Sequence, residues 1–460
     1  MGKFGKSASA HQSTFIGRVH RWVSIVSGTL LTINFLCFWA IPIGGMGMTW
    51  KAGLKPLLLP LYNVMDHNSW MRKFAEDYVY VRKEHADYFA ISLILIVNCI
   101  FTIGGVFKYQ LTHGSLPPWV IAAYYCSWVG VGGRVMGAAY TLAHREGHMF
   151  SGIYKKPLQN IMGNVFENGL GCFFGNVPYN FTTSHVFIHH RLDGGLGDSF
   201  YEWDLDRTSV VDFMVYQQRI FLHMVGYSSM KFFRANGQAQ WADLLQRGVI
   251  TYCAVGGATY LVTGSLAFVF WIYIQPLFCM TYFLALINIG FHGFIEYDEA
   301  GEPIPEVNST TIIEGDDDYF GEDDHMAHHY ASQVFHRDLL EHQKAMRETY
   351  KKTRASVFRG LSIAELSIFL IFGLYDELAK HYVDYTGTMT IDEIKAMLKT
   401  RAQRIEMPNE EYNKYLTNPT PEARKALRVN DIKSLQGQPY LNANAASAST
   451  TKRIPSKKRD

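Results

Sequence analysis

Cysteine is scarce in this chain: six among 460 residues (Cys37, Cys99, Cys126, Cys172, Cys253 and Cys279), with no CxxC spacing anywhere. A disulfide framework and a cysteine-based zinc fold are thereby excluded, and thiols scattered through apolar stretches read as buried side chains. A dominant charge is lacking as well. The formal net charge is +2, and no stretch alternates basic with aromatic residues, so nucleic acid is not the partner. An HPGG haem-binding motif and a Rossmann glycine fingerprint are also missing, which excludes a fused cytochrome b5 and a dinucleotide-binding domain.

What is abundant is apolar sequence, 48% hydrophobic and 14% aromatic, gathered into long runs. Trp22 to Ile43 and Tyr88 to Phe107 carry no charge, and each suffices for a hydrocarbon core needing about 20 residues. Trp119 to Leu142 holds one charge, Arg134, and Gly248 to Phe291 is an uncharged run long enough for two helices, with Gly264-Ser265 and Gln275-Pro276 as candidate breakers. These runs predict an all-α fold, an integral-membrane helical bundle.

The polar regions 143–247 and 292–342 share one face, because the short loop Lys108 to Pro118 makes spans two and three a hairpin and the last two spans form another. They are expected to form a cytosolic helical cap. Leu158 to Phe174 and Val210 to Tyr227 have the near-helical apolar spacing of interfacial or packed soluble helices. Counting spans places the N-terminus on the opposite face, whereas Lys3, Lys6, Arg18 and Arg21 favour the cytosol. Either the first segment is re-entrant, with or without Leu54 to Tyr62, or the positive-inside tendency fails here. The organisation expected is a polar leader (1–21, too long and polar for a cleaved signal peptide), a membrane domain (22–342), a charged helical region (343–435) and a tail (436–460) of disordered composition.

Nine of the eighteen histidines fall in four clusters: HREGH (His144, His148), HVFIHH (His185, His189, His190), NIGFH (Asn288, His292) and HMAHH (His325, His328, His329). Spacings of three and four place rings on one helix face, roughly 5–6 Å apart, close enough to share a metal. Nine imidazoles exceed what one tetrahedral zinc takes, so two metals are implied. Neutral imidazole suits zinc, copper, iron or nickel, and ligand type alone does not choose among them. Glu146, Asp198, Glu296 and Asp324 lie beside the clusters, either as acceptors that orient the rings or as solvated acids. His11, His20, His67, His85, His113, His223 and His381 stand alone and read as ordinary side chains. His336 and His342 follow the last cluster at looser spacing and are weaker candidates.

The ordered set HxxxH, HxxxHH, NxxxH and HxxHH resembles the membrane fatty acid desaturase superfamily, which includes acyl desaturases and the related alkane monooxygenases, over roughly Trp119 to His342. The resemblance implies two irons held by the nine clustered histidines, with Asn288 holding a metal-bound water. It implies O2-dependent removal of hydrogen from a methylene of a fatty acyl or other lipid chain, with electrons from cytochrome b5 or a ferredoxin. The second box departs from many desaturases, having three residues before its HH pair where they have two. Three is the spacing of alkane monooxygenases and some front-end desaturases, so desaturation and hydroxylation both remain open. From a different class, a membrane metal carrier or a zinc-dependent membrane hydrolase would bind zinc and need no reductant.

Three lesser features complete the reading. Lys457-Lys458-Arg459-Asp460 looks like a dilysine signal for the endoplasmic reticulum read in the cytosol. Tyr382 to Glu393 has an EF-hand rhythm but lacks the first carboxylate, so a capping box from Thr390 to Glu393 is the expected reading. Arg134, an intramembrane charge, would meet a substrate head group or, more simply, snorkel or pair with a neighbouring helix.

Overall fold

The computed structural model describes residues 15–405 except 67, 150–151, 196, 300–302, 316–319 and 332–333. Most of the leader, the tail with its dilysine, His11 and His67 lie outside the described residues. Among those described, the fold is all-α apart from a parallel pair of short strands, Thr311–Ile313 and Val357–Arg359. Three helices are long and apolar enough to cross a membrane: Arg18–Phe38, Lys83–His113 and Leu266–His292. The first two turn side chains such as Leu30, Leu36, Ile100 and Phe101 outward, whereas the third is largely buried at the centre.

The first helix, Phe15–Phe38, runs antiparallel to the central helix Gln275–His292. At its start Arg21 pairs with Asp212 at 2.5 Å, midway Phe35 stacks on Tyr282 with centroids 3.9 Å apart, and beyond its end the Trp39 indole donates to Gln275 at 3.2 Å. The chain then reverses through Ala40–Thr49 and Trp50–Leu54. Lys51 meets Glu365 at 3.1 Å, on the helix Ile363–Ile371 that packs against Gly290. Both limbs of this hairpin therefore end near His292, so Arg18 and Arg21 and the histidine regions share one end of the bundle. The returning limb is Ala40–Thr49 and not the Leu54 to Tyr62 stretch.

The third apolar run is two helices, Pro118–Val129 and Arg134–His148, and not the continuous span expected. Gly130, Gly132 and Gly133 between them hold φ of 72°, 66° and 74°, values that favour glycine and break the helix. Arg134 accordingly sits at a helix start, its guanidinium 4.7 Å from the Trp50 ring, a cation–π contact with a neighbouring helix. In the fourth run the reversal falls at Gly264 (φ 63°), and Ser265 caps the next helix. Gln275-Pro276 does not break the helix: it directly follows the π-helical turn Val269–Ile274 inside the span Leu266–His292.

Of the two readings offered for Val210 to Tyr227, the packed helix holds: Val210–Met224 packs between Phe15–Phe38 and Gln275–His292, with Phe221 meeting Phe278. Leu158 to Phe174 is three short pieces, of which Leu170–Phe174 enters the bundle to the level of Pro276. Among the cysteines Cys99, Cys172 and Cys279 are buried, while Cys37 and Cys253 are exposed on outward helix faces. At the C-terminal side Thr390 and Glu393 form the expected capping box, and Asp384 accepts from Thr386, Thr388 and Met389 as a turn residue.

Candidate metal centre

The end of the bundle at His292 gathers all nine clustered histidines into two adjoining groups. His144, His148, His185, His190 and His328 form one; His189, His292, His325 and His329 form the other, and within each group the donor atoms lie within 4.8 Å of one another. The groups abut: the rings of His190 and His329 stack with centroids 4.4 Å apart.

Local helix geometry explains the partition. His144 and His148 end the helix Arg134–His148, one turn apart on its buried face. Gly147 lets this helix approach Phe181–His189: a Cβ there would lie 2.4 Å from the Phe181 side chain. Phe181–His189 is π-helical, with hydrogen bonds from residue i to i+5. The wider turn brings His185 and His190 together, their Nε2 atoms 3.0 Å apart, and sends His189 to the other group. In the short helix His325–Tyr330, capped by Asp324, His325 and His329 join one group and His328 the other. Each adjacent HH pair is thus divided between the groups, since neighbouring helical residues point about 100° apart. The expectation that a whole cluster shares one metal holds for HREGH and not for the two HH boxes.

Hydrogen bonding at the far ring nitrogens makes the inward nitrogens lone-pair donors. His292 Nδ1 lies 3.1 Å from the Asn308 carbonyl and His189 Nδ1 2.9 Å from Asp198 Oδ2; an acceptor at Nδ1 requires the proton there and leaves Nε2 bare. His144 Nδ1 meets Glu322 Oε2 at 2.8 Å with the same consequence. Yet His144 Nε2 faces the Nε2 atoms of His185 and His148 at 2.7 and 2.9 Å, and His292 Nε2 faces His325 Nε2 at 2.8 Å. Such separations suit donors that share one cation at about 2.0–2.1 Å. His329 lies with Nδ1 3.0 Å from Asp193 Oδ1, off hydrogen-bond direction, and neither of its ring nitrogens has a hydrogen-bond partner. The donor set fits two metal ions.

Electrostatics agree. Burial, and then the neighbouring histidines, push His148, His185, His190, His325, His328 and His329 well below the usual imidazole range, which favours the neutral form that offers a lone pair to a metal. Burial alone would raise the Asp198 and Glu322 carboxyls; His189 beside the first and His144 with Arg145 beside the second outweigh it and hold both below the carboxylate range.

Of the four acids singled out from sequence, only Asp198 touches a clustered ring. Glu146 accepts from Tyr154 and the Phe166 and Glu167 backbone, Glu296 pairs with Arg401, and Asp324 caps its helix. Glu322 and Asp193 take the places expected of them, and their only sequence signal is position three residues from a box histidine. His336 pairs with Asp87 at 3.2 Å, and neither it nor His342 joins a group. Asn288, one turn before His292, lines a cavity with His185, His189 and His325, and its amide donates to Tyr216 at 2.5 Å. His223, read from sequence as ordinary, is buried on the same cavity wall and bonds Ser199 at 3.0 Å.

A model of the fatty acid desaturase family matches residues 117–360, a stretch that contains both histidine groups and the cavity beside them. Comparison with curated proteins and with solved structures gives no match. The chain belongs to the fatty acid desaturase family.

Proposed function

We propose that this protein is an O2-dependent di-iron lipid desaturase of the endoplasmic reticulum membrane, with its histidine-bearing end toward the cytosol. The observation that carries this reading is the pair of adjoining imidazole groups at one end of an apolar bundle. One iron would rest on His144, His148, His185, His190 and His328, the other on His189, His292, His325 and His329, with Asn288 beside the second. Iron at these positions would supply the redox chemistry that O2-dependent cleavage of an unactivated C–H bond requires. Phe181, Phe200, Leu284, Ile287 and Phe291 wall the adjoining cavity, where they would bind methylenes by apolar contact and exclude water. Asp198, Glu322 and the Asn308 carbonyl hold the Nδ1 protons, which fixes the rings' orientation. Electrons would come from a separate carrier, cytochrome b5 or a ferredoxin, since no haem or dinucleotide motif occurs in the chain. Arg18 and Arg21 at the histidine-bearing end support the cytosolic sidedness.

The division of the chain into a membrane domain over 22–342 and a charged region after it belongs to the same proposal. Desaturation and hydroxylation begin with the same C–H cleavage, and product analysis separates them. Membranes containing the protein, supplied with defined lipids, O2, NADH and a cytochrome b5 system, are expected to yield unsaturated chains. Hydroxylated product alone would overturn the desaturase reading in favour of a membrane hydroxylase, and no oxidation with any donor would overturn both.

A further inference from the structure

The helix Ile363–Ile371 is apolar on every side. Its sequence, IAELSIFLI, holds one charged residue, Glu365, and Lys51 pairs with it. The inner face is pressed onto the end of the crossing helix Leu266–His292. A Cβ on Gly290 would lie 2.3 Å from Ser367 Oγ, and one on Gly293 2.3 Å from a Leu370 methyl, so the two backbones meet with no room for a side chain between them. Ser367 itself is buried and donates to the Ile363 carbonyl at 2.7 Å, within its own helix. The outer face is bare: Ile368 is 42% exposed, Phe372 one turn on is 62% exposed, and Leu374 just past the helix is 44% exposed. The two helices that follow are built differently. Tyr375–His381 carries Asp376, Glu377 and Lys380 on its outside, and Ile391–Gln403 carries Asp392 and Lys399.

A helix that is hydrophobic all round belongs in a protein core or in lipid. Among the described residues nothing covers the outer face, which leaves lipid. Spanning a bilayer takes about 20 residues, so a helix this short meets lipid only at the membrane surface. Its depth agrees, because Gly290 and Gly293 flank His292 where a crossing helix ends and hydrocarbon gives way to headgroups. Apolar surface is continuous with it: Met48, one turn before Lys51 on the returning limb of the N-terminal hairpin, is turned outward as well. Lys51 then lays its methylene stem along this surface with its ammonium at headgroup level. We propose that the outer face of Ile363–Ile371, with Phe372 and Leu374, rests in the phospholipid surface on the histidine-bearing side. Membrane contact thereby extends past residue 342 into the C-terminal region, and this helix fixes the depth at which the histidine groups stand. The contact is independent of the reaction that the metals carry out.

The test uses the full-length protein in phosphatidylcholine vesicles, with the three cysteines that are not buried, Cys37, Cys126 and Cys253, replaced by serine. A nitroxide is placed singly at Ile368→Cys, at Phe372→Cys or, as the water-facing reference, at Asp392→Cys. Collision rates are measured with O2, which concentrates in lipid, and with a water-soluble nickel chelate. The ratio of the two rates at 368 and 372 is expected to exceed that at 392 by about tenfold. Equal ratios at all three positions overturn the proposal. Protection of 368 and 372 from both reagents also overturns it, since protein, a second copy or the chain's own tail, would then cover the face. A second measurement needs no substitution: phosphatidylcholine with a photoactivatable group high on its acyl chain should attach to residues 363–374 and not to residues 392–403. Attachment to neither segment, or to both alike, contradicts the proposal.

Discussion

Replacing His189 with alanine is expected to abolish lipid oxidation, by more than a hundredfold, while the protein still inserts and folds. The side chain is buried, donates one nitrogen to the group with His292, His325 and His329, and sits in the π-helical turn that divides the HH pair. Only three imidazoles of that group would remain. Loss of an orienting partner alone typically lowers metal affinity or activity 10–100-fold, and loss of a ligand should exceed that. Asp198→Asn is the graded companion, because an amide turned with its oxygen to His189 still accepts the Nδ1 proton but without charge; a 10–100-fold loss is expected. The measurements are product formation and metal bound per chain. Retained turnover in His189→Ala would remove His189 from the ligand set.

The largest effect on stability is expected from Arg207→Met. Arg207 is fully buried, with its guanidinium donating to the carbonyls of Leu205 at 2.6 Å, Arg401 at 2.9 Å and Gly293 at 3.3 Å. It thereby ties the residue after His292 to the end of the helix Ile391–Gln403. The charge of Arg207 also offsets the buried Glu202, whose carboxyl burial nonetheless pushes up to about 8. Methionine would remove the donors from three buried carbonyls. Each buried polar group left without its partner costs about 1–3 kcal/mol. The expected result is a marked fall in unfolding temperature in detergent, with Arg207→Lys intermediate because an ammonium cannot serve all three carbonyls. An unchanged unfolding temperature would contradict this account of Arg207.

The spacing of the histidine boxes made it legible that the nine rings could meet, since turns of three and four residues put them on common faces. Which ring joins which group was not legible. That depends on the π-helical hydrogen bonding of Phe181–His189, a geometry with no residue pattern of its own. The acids were half legible for a similar reason: Asp198 was named, whereas Glu322 and Asp193 reach their rings through loop turns, Asp193 in a left-handed conformation at φ 50°. Apolar runs announced a membrane bundle, but hydropathy carries no direction. Trp22 to Ile43 could equally cross or re-enter by its composition, and the contacts of Trp39 with Gln275 and of Lys51 with Glu365 show the chain doubling back. The third run was expected to be continuous because hydropathy does not register Gly130, Gly132 and Gly133, whose positive φ values break it.

Elemental analysis of the purified full-length protein tests the central claim most directly. If two adjoining imidazole groups each hold a redox metal, the protein should carry about two irons per chain, and His189→Ala should carry fewer. A single zinc per chain, with no iron taken up when it is offered under reducing conditions, would contradict the account.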